Sequence, residues 1–110
     1  MANTFLLHTK TGGSTGANTD VTCYTVGSGI TTVVIGLTIA NITASAITVD
    51  AKIENSDGDN VYIGKALPIP TGSSLSALAG KVVLNTGDLI KVQSNSANAF
   101  DVALSIMEQT

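Results

Sequence analysis

TTVVIGLTIANITASAITVDAKIE, residues Thr31 to Glu54, is the stretch that decides the fold. Its second half alternates: Ile47, Val49, Ala51 and Ile53 fall on one side, Thr48, Asp50, Lys52 and Glu54 on the other. A period of two marks a strand with one dry and one wet face. The first half, Val33 to Ile39, is apolar on both faces, which predicts cover from two directions. Thr43-Ala44-Ser45 forms a short break between the two runs. Strict alternation puts Val34 and Ala40 together on the second face of the first strand.

Outward from this pair, short strands continue to both ends. Asn3 to Thr9 reads as a strand carrying Phe5, Leu6 and Leu7. Lys10 to Thr19, KTGGSTGANT, has almost nothing to pack and reads as a flexible loop. Asp20 to Val26 is a second strand, stopped by Gly27-Ser28-Gly29. Beyond the central pair, NSDGDN at residues 55–60 is a hairpin connection, because Asp57-Gly58 tolerates the positive φ of such turns. Val61 to Leu67 pairs back, with Pro68 and Pro70 expected to end it. Leu75 to Leu84 holds a strand interrupted at Gly80, and Leu89 to Gln93 follows with Ile90 and Val92 inward. Phe100 to Met107 closes the series, with Phe100, Val102, Leu104 and Ile106 inward. About eight strands and no helix predict an all-β fold: a single-domain antiparallel β-sandwich over residues 1–110, jelly-roll or immunoglobulin-like.

Composition restricts what such a sandwich does. At 110 residues, surface scaling expects roughly 5,700 Å² of accessible area, enough for one modest core. That core is aliphatic, since aromatics are 4% and Trp is absent. Only 12% of residues are charged, below the roughly 25–35% suited to a freely soluble surface. The net charge is −3 and every basic residue is Lys, so nucleic-acid backbones find no electrostatic footprint. No stretch reads as a secretory signal or a membrane span, so no membrane partner is expected.

Catalytic chemistry is poorly supplied. His8 and Cys23 are the sole members of their types and form no nucleophile–base pattern. We expect Cys23 to be a buried small hydrophobe and His8 an edge-strand residue. The Asn55-Ser56-Asp57-Gly58-Asp59 run resembles the start of a calcium loop, but Gly58 is fourth rather than sixth and no Glu stands twelfth. Gly12-Gly13-Ser14-Thr15-Gly16 lacks the Lys-Ser/Thr and the helix of a phosphate loop. Asn41-Ile42-Thr43 matches a glycosylation sequon by coincidence of composition. The expectation is no enzyme, no cofactor and no metal.

What stands out is a surplus of apolar residues over the places a sandwich interior offers. Phe5, Leu6 and Leu7 do not all fit inward, and Val34, Ala40, Ala103 and Met107 fall on outer faces under strict alternation. These seven form the candidate assembly interface, a surface covered by another chain.

These residues also carry a family resemblance. TTVVIGLTIANITASAITVDAKI, VYIGKALPIPTGSSL and GKVVLNTGDLIKVQSNSANAFDVALSIME together resemble small β-sandwich virion proteins of tailed bacteriophages, across Thr31 to Glu108. The resemblance implies a structural protein without enzymatic activity or cofactor. It would be made in the host cytoplasm and sit in the virion, on the capsid surface. It implies a capsid decoration (cement) protein bound to the major capsid protein lattice as a homo-oligomer, with a trimer favoured. The alternatives are a neck, tail or baseplate adaptor and, from a different class, a carbohydrate-binding module.

Overall fold

In the computed structural model, which describes residues 2–11, 16–78 and 80–110, the alternating runs become nine strands. They are β1 (Asn3–Thr11), β2 (Val21–Thr25), β3 (Thr31–Asn41), β4 (Ile47–Glu54), β5 (Asn60–Ile69), β6 (Ser74–Ser76), β7 (Val82–Leu84), β8 (Leu89–Ser94) and β9 (Phe100–Gln109). The first sheet has the order β1-β9-β3, with β6 and β7 both on the far side of β3; the second is β2-β8-β4-β5. All pairings are antiparallel. The accessible surface is 5559 Å², close to the area expected for this mass.

The pairings are nested. β4 pairs β5, β3 pairs β6 and β7, β2 pairs β8, and β1 pairs β9. The chain is thus one long hairpin with its tip between β4 and β5. Rolling that hairpin up creates two further contacts, β9 against β3 and β8 against β4. This is a jelly roll, and it decides between the two topologies open to the sequence.

The inward residues of β4, β8 and β9 are those the alternation predicts. Val49, Ala51, Ile90, Val92, Phe100, Val102, Leu104 and Ile106 are all buried. β3 departs from strict alternation. Its register against β9 shifts between Val34 and Gly36, so one extra residue enters the strand. A bulge reverses the phase of everything beyond it. Val34 before the bulge, and Leu37 and Ile39 after it, therefore all face the core, each with 0% exposure. The two-sided apolar run was a phase shift, and Val34 is an interior residue rather than an outer one.

Three further differences have local causes. The Leu75–Leu84 strand is two short ones, β6 and β7, which meet β3 at separate places. Pro68 lies inside β5 rather than ending it, opposite Thr48. β5 is an edge strand, where a missing N–H loses no ladder bond. Of the proposed loop, Lys10 and Thr11 belong to β1, the Asn18 amide donates to the Ser94 carbonyl at 2.8 Å, and residues 12–15 lie outside the described residues.

Two polar clusters tie the sheets together. Tyr24 reaches from β2 across the core opening, where its hydroxyl donates to the Glu108 carboxylate and accepts from Thr32 Oγ1 at 2.8 Å. Burial, then the hydrogen bond to Glu108, pushes its pKa up to about 12. At the β3–β4 corner, buried Asn41 donates to the carbonyls of Ser45 (2.8 Å) and Ile69 (3.0 Å). Its oxygen accepts from the Thr43 amide and hydroxyl. Both ends of the Asn41 amide are used inside the fold, so the sequon is structural.

Candidate assembly interface

The register assigns every strand residue to a face, and the two outer faces differ in chemistry. On the first sheet the outward residues form cross-strand rows. Phe5 lies opposite Met107, Met107 opposite Val33, and Val33 opposite Val83. The next row holds Leu7, Ser105 and Gly36, flanked by the bulged Ile35. Phe5 is 72% exposed, Leu7 66%, Val83 60% and Ile35 41%. At 4.8 Å per strand the stripe crosses roughly 15 Å of sheet. An exposed, contiguous apolar band of this kind makes this face the candidate contact surface.

Further along, Thr9, Ala103 and Thr38 form one row, and Thr11, Asp101 and Ala40 another. These small side chains line a shallow depression of about 420 Å³. Asp101 is the one charged residue among the described outward strand positions of this sheet.

On the second sheet the outward rows are charged and satisfied internally. Asp50 faces Gln93, and Lys52 faces Lys91. Two lysines directly opposite would repel, but each has its own acid: Lys52 to Asp20 and Lys91 to Glu54, both at 2.8 Å. The ion pair with Asp20 raises the Lys52 pKa. Burial pushes the Asp50 carboxyl up, but the Ala66 amide, the Gln93 amide and Lys65 outweigh it and hold it below the ordinary carboxylate value. Asp50 Oδ1 accepts from the Ala66 amide at 2.6 Å and so pins β5 where Ala66 takes a left-handed φ of 53°. This face has no large unpartnered feature except Tyr62, 45% exposed, with Lys65 Nζ 4.6 Å from its ring centre.

The candidate residues distribute as follows. Phe5, Leu7, Ala40, Ala103 and Met107 share the outer face of the first sheet. Leu6 faces the other way, toward the core opening, and is 37% exposed. Val34 is excluded by burial. Val33, Ile35 and Val83 belong to the face and were missed. The available signal was Gly36, since a glycine within a strand commonly marks a bulge.

The remaining groups serve the fold. Cys23 is buried, and burial pushes its thiol up to about 12. His8 is half-buried on β1, its ring centre 4.9 Å from that of Tyr24. In the 55–59 turn, Asn55 Oδ1 accepts from the amides of Asp57 and Asp59, both at 3.0 Å, and Gly58 takes φ +92°. Among the described residues no three His, Cys, Asp or Glu side chains converge as metal ligands.

No known protein family and no curated protein matches the sequence. Solved structures that share the fold include two of different origin. One, from work describing Bacillus endospore appendages as a novel family of disulfide-linked pili, has TM-score 0.54 and 14% identity, covering 97% of this chain and 84% of that one. The other is a chain of infectious bursal disease virus, Gx strain, with TM-score 0.56 and 9% identity. It covers 96% of this chain, which spans 31% of the viral one. Both likenesses concern the fold.

Proposed function

We propose that this chain is a structural subunit of a virion, a capsid decoration protein of a tailed bacteriophage that docks through the outer face of its first sheet. The observation that carries this reading is the Phe5–Met107–Val33–Val83 stripe on a face with a single charge. A monomer gains nothing from exposing it; a lattice subunit gains apolar burial at about 25 cal/mol per Å² on docking. Repetition over many copies multiplies a modest contact into a stable coat. The family resemblance of Thr31 to Glu108 supports the bacteriophage setting, and the shared fold with a viral chain fits it. The partner in this reading is the major capsid protein.

The fold shared along nearly the whole chain with a structure from work on endospore pili suits a second reading, a filamentous appendage. Those pili are disulfide-linked, whereas here the single cysteine is buried with a protonated thiol. An appendage of this chain would rely on strand and face contacts alone, and we favour the virion.

Stoichiometry tests the proposal. Quantified protein bands from purified particles are expected to show hundreds of copies per particle, in simple ratio to the major capsid protein. About six or twelve copies would move the chain to a neck or tail ring. Absence from particles overturns the reading.

A further inference from the structure

β1 is an edge strand whose polar backbone is aimed outward in a regular way. Ala2 and Thr110 exchange both backbone hydrogen bonds, at 3.2 and 3.0 Å, which makes them a hydrogen-bonded pair of the β1–β9 ladder. The register runs without a bulge from Asn3–Gln109 onward. In an antiparallel ladder such pairs alternate with non-bonded ones. Thr4, Leu6 and His8 therefore bond to β9, while Asn3, Phe5, Leu7 and Thr9 point their N–H and C=O groups to the open side. The same four residues carry the outward side chains, and none is charged.

The other sheet edges are unsuited to pairing. β2 has five residues and a register shift. β6 and β7 have three residues each. β5 is long but contains Pro68, Lys65, two register shifts against β4 and the left-handed Ala66. Bulges, prolines, lysines and short length are the devices that keep edges from associating. β1, nine residues long, has no bulge and no proline, and its one lysine, Lys10, lies on the inward face near the strand's end, four residues from Leu6.

We infer that β1 is a self-complementary edge, and that two copies of this chain pair through it antiparallel about a twofold axis at Leu6. In that register Phe5 faces Leu7 of the second copy and Leu7 faces its Phe5, each as a hydrogen-bonded pair. Asn3 meets Thr9 in the same way. Leu6 meets its own counterpart as a non-bonded pair. The apolar stripe of one copy then runs without interruption into that of the other. Because a twofold contact brings a residue near its own copy, a charge on it would repel itself; an uncharged edge avoids this. The contact buries less than the roughly 1,200 Å² of a standard interface, so the dimer forms and dissociates with concentration. This deepens the assembly reading by naming one contact within it, as strand addition to an open edge. A trimer built through β1 would need it to meet a different edge, and the other long edge, β5, is irregular.

Sedimentation equilibrium of the purified chain, from about 1 µM to 1 mM, tests this together with cysteine cross-linking. We expect a monomer–dimer equilibrium that Phe5→Lys weakens at least about tenfold. Phe5 is exposed, so that variant keeps its fold. Non-bonded antiparallel pairs stand about 4.5 Å apart at Cα, within the range of a disulfide. Leu6→Cys is therefore expected to cross-link under mild oxidation, while Thr9→Cys stays uncross-linked. Cys23 is too buried to interfere. A monomer at all concentrations, or equal cross-linking at both positions, overturns the twofold edge. A monomer still abundant in virions would overturn this contact and leave the virion reading standing, and a specific dimer absent from particles would do the reverse.

Discussion

The outer faces of the two sheets share a backbone plan and differ in what they leave unsatisfied. On the second sheet, charges sit at alternate positions of β4, with Lys91 beside them on β8, and its lysines end on carboxylates of the same molecule. That face is complete without a partner. The first sheet puts Phe5, Met107, Val33 and Val83 in one row, with threonine, serine and alanine beyond. It leaves Phe5 and Val83 mostly exposed. Five strand charges, Asp50, Lys52, Glu54, Lys65 and Lys91, lie on the second sheet's outer face, whereas Asp101 is the one on the described outer strand positions of the first.

The sharpest way to break the comparison is to change two neighbours. Val34 is wholly buried, so Val34→Lys should cost at least about 4 kcal/mol and leave the chain unfolded at room temperature by circular dichroism. Val33 faces outward on the same strand, and Val33→Lys should fold within about 0.5 kcal/mol of the parent. Equal loss of stability in both would mean that the outer face is part of the core.

Next in size is the corner that hands the chain from one sheet to the other. Asn41→Ala removes four hydrogen bonds and leaves the Ile69 carbonyl without its Asn41 donor. Chemical denaturation should show a loss of about 2–3 kcal/mol.

Alkaline pH probes the cluster that joins the faces on the inside. Cys23 and Tyr24 both keep their protons in the fold to about pH 12, while unfolded they lose them near 9 and 10. The unfolded state thus binds fewer protons above pH 9, and stability should fall as pH rises from 9 to 12. The expected loss by pH 12 is on the order of 4 kcal/mol for Cys23 and about 3 kcal/mol for Tyr24. Tyr24→Phe should flatten the part of this slope above pH 10, measured by urea midpoints across the range.

The smallest effect belongs to the self-satisfied face. Lys91→Met, removing the pair with Glu54, should cost no more than about 1 kcal/mol, and the difference should shrink in high salt.

Much of this was legible in the sequence, for identifiable reasons. Strand positions follow from period-two alternation, and the inward sets of β4, β8 and β9 follow from it directly. The choice of jelly roll over immunoglobulin-like topology was not legible, because alternation reports a strand's faces and says nothing about which distant strand it pairs with. The composition of the first sheet's outer face was read in part. Phe5, Leu7, Ala40, Ala103 and Met107 fall on it, and Val34 does not, because one extra residue at the Val34–Gly36 bulge turns the phase of β3. Alternation carried past a glycine inside a strand is where such a reading fails. Open edges were equally hidden: that β1 is an edge follows from its pairing with β9 alone, which alternation cannot report.

The central claim is that the first sheet's outer face, and not the second's, makes the assembly contact. Incorporation of two folded lysine variants into particles tests it most directly. Val33→Lys changes the first face, and Thr48→Lys, outward on β4, changes the second. The account predicts that Val33→Lys is missing from purified particles while Thr48→Lys is present at the parental level. Parental incorporation of Val33→Lys, or selective loss of Thr48→Lys, would contradict it.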